Sequence, residues 1–419
     1  MKILFIHQNF PGQFKSLAPE LVLRGHEVSA MTMLSDAPPT WQGVKLVKYR
    51  VDRVNSQTVH PWLIDFETKT IRAEACYKAC HLMKANGYSP DVVIAHPGWG
   101  ESLFIKEVWP NVKLGIYCEF YYRQQGADTG FDVEFRNTEM GDSCRVMLKN
   151  INNLLHAGVA DAGISPTAWQ ASTYPSEMRQ KISIIHDGIE TELVKPGRPR
   201  VNMKVGGADV VLTKSDKIVT YVSRSLEPYR GFHSFMRSLP KVLSAHPDAK
   251  IIIVGAEGVS YGALPSKEVY GRSSWKEIMT SELRLRVSPQ DLSRVIFLGK
   301  VPYQEYLAIL QISTVHVYLT YPFVLSWSLL EAMSAGCVVV ASDTAPIREV
   351  IQNDETGCMV DFFDYDAIAQ KINDLIDDPE KRNTLSSKAR QFVIDHYDLK
   401  TICLPKQLQW VESLNVVEG

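Results

Sequence analysis

A chain of 419 residues exceeds what one hydrophobic core organises, so two domains are expected; 45% hydrophobic and 22% charged residues describe a globular protein rather than a disordered one. A formal charge of −2 supplies no bulk attraction for nucleic acid or an anionic surface. Seven scattered cysteines with no CxxC pair argue against a disulfide framework and against a zinc site, and Cys76 with Cys80 reads as core packing. The apolar run at the start is too short for a signal peptide, and no stretch reaches the length of a membrane span. A cytoplasmic protein without a bound metal is expected.

The first residues, "KILFIH", form a continuous apolar run of the kind a buried parallel strand requires. Phe14, Leu17, Leu21 and Val22 then recur at helical spacing, Gly25 stops the helix, and "EVSAMTM" is the next strand. This is one βαβ unit. "DVVIAHP" (91–97), "KLGIYCEF" (113–120), "AGISP" (162–166) and "KISIIHDGIET" (181–191) continue the strand series. "KPGRPRVNMKVGG" follows, rich in Pro, Gly and basic residues and read as a linker without periodicity. The pattern restarts with "KIVTYVSRS" (217–225), "AKIIIVGAE" (249–257), "RVIFLGKV" (294–301), "TVHVYLT" (314–320) and "GCVVVASD" (336–343). Residues 259–278, with Gly, Ser and Tyr, interrupt the alternation as an insertion or lid loop would. "TICLPKQLQWVESL" reads as a closing helix with Leu408, Val411 and Leu414 on one face. Two βα series imply an α/β fold: two doubly wound Rossmann-like domains, 1–196 and 197–402, facing a central cleft, with a helix at about 403–419 packing back on the first.

In open α/β sheets ligands bind beyond the carboxyl ends of the strands, so residues there are the candidates for function. In "SWSLLEAMSAG", Ser326 can cap a helix and Gly336 can end it. The N-terminus of that helix would offer its amides to an anion. Glu331 on the same helix reads first as a solvated residue, but its place after a buried strand favours a ligand role. Arg224 and Arg230 follow the first strand of the second series, and two guanidiniums there would neutralise a diphosphate. His96 and Glu119 stand at strand ends of the first series, suited to hydrogen-bonding a hydroxyl-rich ligand or to acid–base work. A structural His96 is an equal reading; Glu119 at the end of a buried strand costs stability unless paired. Gly12, and Gly255 with Gly258, do not make a dinucleotide fingerprint or a phosphate loop, which disfavours a nicotinamide dehydrogenase.

Taken together, "GQFKSLAPELVLRGHEVSAMT", "AGISPTAWQASTYPSEMRQKISIIHDGIET", "SRSLEPYRG", "VIFLGKVPYQEYLAIL" and "LLEAMSAGCVVVASDTAPIREVI" resemble, in this order, the retaining glycosyltransferases of the GT-B fold, glycosyltransferase family 4. The resemblance implies transfer of a hexosyl group from a nucleoside-diphosphate sugar, a UDP-sugar such as UDP-glucose, to a hydroxyl acceptor in polysaccharide or glycoconjugate synthesis. It implies no prosthetic group and no metal. The partners would be the UDP-sugar donor and a carbohydrate or lipid-linked sugar acceptor, with no nucleic acid; peripheral contact with the inner face of a membrane is a variant. By the same resemblance Glu331 would accept hydrogen bonds from the ribose, and Arg224 and Arg230 would hold the diphosphate. The backbone at Val301 would read the base, and Phe323, Val324, Leu325 and Ser326 would offer amides to the sugar and phosphate. Gly12 would lie in the opening loop, and His96 and Glu119 on the acceptor or sugar side, with Arg224, Arg230 and Glu119 in catalytic roles.

Four departures from the family pattern fall at these positions. The Arg224–Arg230 interval is one residue longer than usual, and the usual glycine pair of the opening loop is reduced to Gly12. Glu119 stands where many members have histidine, and Phe323 replaces a glutamate. No obvious nucleophilic carboxylate is present at the strand ends, which fits a route other than a covalent one; the resemblance implies that the diphosphate departs on the face the acceptor attacks. A GT-B sugar-nucleotide epimerase, needing no acceptor, and a non-catalytic sugar-nucleotide-binding protein remain the alternatives.

Overall fold

The computed structural model describes residues 1–136, 140–205 and 207–415, and the chain divides into two compact units, Met1–Gly188 with Lys400–Gly419, and Ile189–Leu399. In the first unit the strands are β1 (Lys2–Ile6), β2 (Glu27–Thr32), β3 (Thr40–Trp41), β4 (Val44–Lys48), β5 (Val92–Ala95), β6 (Lys113–Tyr117), β7 (Ala162–Ser165) and β8 (Ile182–Ile184). They lie in the order β3-β4-β2-β1-β5-β6-β7-β8. All pairs are parallel except β3–β4.

The run of apolar residues in β1 is explained by cover on both faces. Ile3 and Phe5 enter a core with Phe14, Leu17 and Leu21, while Leu4 and Ile6 enter another with Ile105 and Trp109. Alternate residues of a strand point to opposite faces, so a sheet covered twice needs no polar position in its central strand. The helix Leu404–Ser413 supplies Leu408, Trp410 and Val411 to the first of these cores, as does the following Leu414. Positions 416–419 of the expected closing helix lie outside the described residues. Cys76 and Cys80 are buried with their sulfurs 3.7 and 3.4 Å from Met31 Sδ, which is packing.

The second unit opens with a correction. The expected linker contains β9 (Val201–Val205), paired antiparallel with β10 (Ala208–Leu212). Met203 and Leu212 are buried against Ile218, Ile252 and Ile296. Val201, Met203 and Val205 alternate with Asn202 and Lys204, a period-2 signal hidden by the flanking Pro, Gly and Arg.

Six parallel strands then form the sheet: β11 (Ile218–Ser225), β12 (Lys250–Ala256), β13 (Val295–Gly299), β14 (Val315–Tyr318), β15 (Val339–Ser342) and β16 (Cys358–Val360). Their order is β13-β12-β11-β14-β15-β16. The expected loop at 259–278 carries a helix at Lys267–Tyr270 and the start of another at Trp275–Arg284.

Each sheet has one place where the chain, having built outward on one side, returns to build on the other. In the first unit it lies between β1 and β5, in the second between β11 and β14. Loops leaving the carboxyl ends of neighbouring strands part there and leave a crevice. His7 and His96 follow the first pair; Arg230 and the segment Thr320–Ser326 follow the second. Among the described residues no helix is long and apolar enough to cross a membrane.

Candidate functional site

In the second unit β11 ends in an irregularity between Val222 and Ser225, and the side chain of Arg224 within it is exposed. A bulge re-aims the side chains it contains. The chain then turns through Pro228–Arg230 and Gly231 into the helix Phe232–Ala245. Arg230 is buried. Its Nη1 donates to Thr320 Oγ1 at 3.0 Å and to the Val324 carbonyl at 3.4 Å, and its own carbonyl accepts from Tyr221 Oη at 2.6 Å. Arg230 therefore fastens the end of β11 to the loop after β14. The two expected arginines differ in environment: one is exposed on a strand end, the other is built into the loop.

The loop Tyr321–Ser326 leads into the helix Trp327–Ser334, where Ser326 Oγ accepts from the Ser328 amide at 3.3 Å as the N-cap. Of the four amides expected to face a ligand, Phe323 N donates to Tyr321 O at 2.7 Å and Ser326 N to Tyr318 Oη at 3.1 Å. These two are engaged within the fold. The Val324 amide has no acceptor among the described residues, while its carbonyl takes Arg230. The Phe323 ring is buried, edge-on to Tyr229 and Tyr261 with centroids 5.7 and 4.9 Å away.

Glu331 lies one turn into the same helix. Oε1 accepts from Tyr303 Oη at 2.7 Å and Oε2 from Tyr306 Oη at 2.8 Å. Tyr303 and Tyr306, three apart, share a face of the helix Tyr303–Ile312 that follows Val301. Burial, then the Glu331 charge, raises the pKa of both phenols, so they remain donors. A carboxylate has about four lone-pair sites, so two tyrosines leave capacity for two further hydroxyls. In the sequence the Tyr303–Tyr306 pair carries no signal beyond its i, i+3 spacing.

In the first unit, His96 ends β5 and its Nδ1 accepts from the Gly98 amide at 3.2 Å. A neutral ring with Nδ1 as acceptor carries its proton on Nε2. That atom is buried without a hydrogen bond and stands 3.6 Å from Glu119 Oε2. Burial, and next the neighbouring His7, holds the His96 pKa down to about 3, so the contact is a neutral N–H facing a carboxylate, not an ion pair. The ring is stacked between Trp99 (4.5 Å) and Tyr117 (5.3 Å), and His7 meets it edge-on at 5.5 Å. Tyr117 Oη in turn donates to Asp187 Oδ2 at 2.9 Å. The Glu119 backbone is fixed by Gln170 Nε2 on its carbonyl at 2.8 Å, while its side chain is 43% exposed.

Gly12, with φ of 49°, lets the opening loop close over His7: a Cβ there would stand 2.3 Å from His7 Nε2. Trp99, Tyr117 and Asp187 carried no sequence signal beyond lying near strand ends. The structure thus gathers Arg230, Val324 and the 323–326 loop in one unit, and His96 with Glu119 in the other. Val301 packs half-buried against the second unit's core, and Glu331 stands on the helix that the loop opens.

Comparison with known proteins gives the same architecture. Residues 24–194 match the glycosyl transferase family 4 group, and residues 208–392 match the glycosyl transferases group 1. The chain is 25% identical over 236 residues to spore coat protein SA of Bacillus subtilis, covering 52% of this chain and 55% of that one. That match spans about half the relative's length. An uncharacterized glycosyltransferase of Methanocaldococcus jannaschii, MJ1607, is 23% identical with 96% of each chain covered. Among solved structures, Anabaena Alr3699/HepE in complex with UDP-glucose superposes with a TM-score of 0.65 at 16% identity, covering 99% of each chain. At that identity the likeness is one of fold: two Rossmann-like domains of the GT-B type.

Proposed function

Because this chain belongs to the GT-B glycosyltransferases, of the family 4 kind, we propose that it moves a hexosyl group from a UDP-sugar to a hydroxyl of a carbohydrate or lipid-linked acceptor, with retention. In this reading residues 1–196 serve the acceptor, residues 197–402 serve the donor, and UDP-glucose is the first donor to test. The observation that carries it is the joining of Arg230 to the Val324 carbonyl at the β11–β14 return point, one helical turn from Glu331. The complex of Anabaena Alr3699/HepE with UDP-glucose supports the choice of donor.

In such a reaction the anomeric C–O bond to the diphosphate breaks while the acceptor oxygen bonds to the same carbon on the same face. The acceptor proton passes to an oxygen of the departing diphosphate. The protein's task is to stabilise the charge that develops on that leaving group. Arg230 is suited to it: a guanidinium has five N–H donors, and the hydrogen bonds to Thr320 and Val324 use Nη1. Arg224, exposed at the strand end, would add a second cation, and the Val324 amide would add a donor that costs no reorganisation. Glu331 would take the two ribose hydroxyls on the lone pairs the tyrosines leave. His96 and Glu119 would meet sugar hydroxyls on the acceptor side.

The test is thermal unfolding with UDP, UDP-glucose, other UDP-sugars, GDP-mannose and NAD, followed by turnover with an acceptor panel. A ligand that binds only the folded state raises the melting temperature by mass action. UDP and one UDP-sugar should shift it and NAD should not. Glu331→Ala should weaken UDP binding by about tenfold or more, the range for hydrogen bonds to a charged group. An unchanged dissociation constant in that variant would remove Glu331 from the ribose. Turnover of donor without any acceptor would favour an epimerase; binding with no turnover would favour a non-catalytic binder.

A further inference from the structure

Glu227 has no exposed surface, so its oxygens cannot turn to solvent. Its carboxylate instead accepts three consecutive backbone amides from the loop after β12: Ser260 at 3.0 Å on Oε1, and Tyr261 at 3.2 Å and Gly262 at 2.8 Å on Oε2. A buried carboxylate is costly unless hydrogen-bonded, and bonds to a charged acceptor are about twice as strong as neutral ones. The loop is therefore pinned at three successive residues, with Ser260 Oγ also 2.8 Å from Ser225 Oγ.

The residue this pin positions is Tyr261. Its ring lies over the Arg230 guanidinium at 5.0 Å and edge-on to Phe323 at 4.9 Å, with Tyr229 at 6.3 Å. Phe323 is buried (4% exposed) whereas Tyr261 is 39% exposed. The accessible ring beside the diphosphate-binding arginine is thus Tyr261, and Phe323 supports it from beneath.

Resting on the donor reading above, we propose that Tyr261 is a donor-binding residue that stacks on the face of the donor's transferred sugar. A pyranose presents C–H bonds on its faces, and an aromatic ring held flat by its backbone meets them by dispersion without selecting any one hydroxyl. The phenylalanine at 323 is consistent with this mode, since it offers no acceptor for a hydroxyl. A site that hydrogen-bonds a hydroxyl rejects analogues lacking it by about 10⁴–10⁵, whereas an apolar contact discriminates by only about 10–200-fold. Discrimination among UDP-hexoses that differ in one hydroxyl accordingly falls to groups other than Tyr261.

The experiment compares Tyr261→Ala and Tyr261→Phe with the wild type, measuring KM for the UDP-sugar and the dissociation constant for free UDP. Tyr261→Ala should raise KM for the UDP-sugar by about tenfold, the size of a lost stacking contact, and leave UDP affinity unchanged. Tyr261→Phe should keep the wild-type ratio of UDP-sugar KM to UDP dissociation constant, because the ring face contacts the sugar while the hydroxyl, which is hydrogen-bonded to Arg230, acts on the diphosphate side. The ring is partly exposed, so neither change empties the core, and melting temperatures confirm folding. An unchanged KM in Tyr261→Ala overturns the proposal. So does an equal loss of UDP and UDP-sugar, which would assign the residue to the diphosphate through Arg230. A Tyr261→Phe variant whose ratio moves as far as that of Tyr261→Ala overturns it too. Failure of the donor reading itself looks different: the wild type would bind neither UDP nor any UDP-sugar, and both readings would fall.

Discussion

His96 shows how much one hydrogen bond decides at the residue scale. The Gly98 amide takes Nδ1, so the proton sits on Nε2, and Nε2 faces Glu119. The ring is buried between Trp99 and Tyr117, which drives its pKa from 6.5 down to about 3. It stays neutral through the physiological range, and in the proposed reaction it would be a fixed donor, not a proton carrier. At 3.6 Å the N–H and the carboxylate are too far apart for a direct hydrogen bond, so the pair interacts through the field of the carboxylate alone. The expected outcome for His96→Phe follows. The aromatic stack survives and the melting temperature stays close to that of the wild type, while kcat/KM falls by about 10–100-fold through the lost donor. Its pH–rate profile between about pH 5 and 8 should run parallel to the wild type's. A limb near 6.5 that vanishes in the variant would show that the ring titrates after all.

At the scale of elements, the turn from β11 into its helix depends on Gly231. Its φ is 67°, and a Cβ there would stand 2.3 Å from Leu319 Cβ and 3.0 Å from Phe362 Cε2. An alanine would add the left-handed backbone penalty to a clash with the loop after β14, costing about 2–4 kcal/mol. Gly231→Ala should therefore lower the melting temperature by about 5–12 °C and weaken UDP binding, because Arg230 is the preceding residue. A melting temperature within a degree of wild type would mean that the turn relaxes freely. The same region shows what the sequence makes legible. Strands such as "KIIIV" (250–254) are near-continuous apolar runs because helices cover both faces, and residues after their ends can be nominated without a structure. Arg230, Glu331 and the 323–326 loop are nominated that way. The Glu227 pin was not, because its partners are backbone amides 33–35 residues away and an amide has no residue type to read. Likewise β16 is only three residues long, and the β9–β10 hairpin sits among linker-like residues.

The whole molecule stores neutral histidines. His7, His96, His156 and His186 in the first unit have pKa values lowered to about 4, 3, 4 and 3, and His316 in the second to about 3, each chiefly by burial. In the unfolded chain these rings protonate near 6.5, the ordinary histidine value. Below that pH the unfolded state binds protons that the fold refuses, so stability is intact above about 6.5 and declines until the folded values near 3–4 are reached. Each such histidine costs about 1.4 kcal/mol per pH unit in that window. Glu101 acts with the opposite sign, since burial raises its pKa above 4.5 and acid relieves its penalty between that raised value and 4.5, but it is one group against five. Carboxylates held low, such as Asp161, lose their contribution only near and below 3.8 and so do not enter the window. With a total stability of about 5–15 kcal/mol typical of folded proteins, unfolding within roughly two pH units below 6.5 is expected. Thermal unfolding at intervals from pH 8 to pH 4.5 reads this out: a plateau above 7, then a steep fall in melting temperature. His156→Gln provides the control. His156 bonds Ser102 Oγ at 2.7 Å and the Asn152 carbonyl at 2.8 Å, and an amide can replace part of that pairing without titrating. The variant should be less stable at pH 7.5 but lose stability less steeply below 6.5. A melting temperature that is flat from 7.5 to 5 would mean that the buried rings accept protons in place.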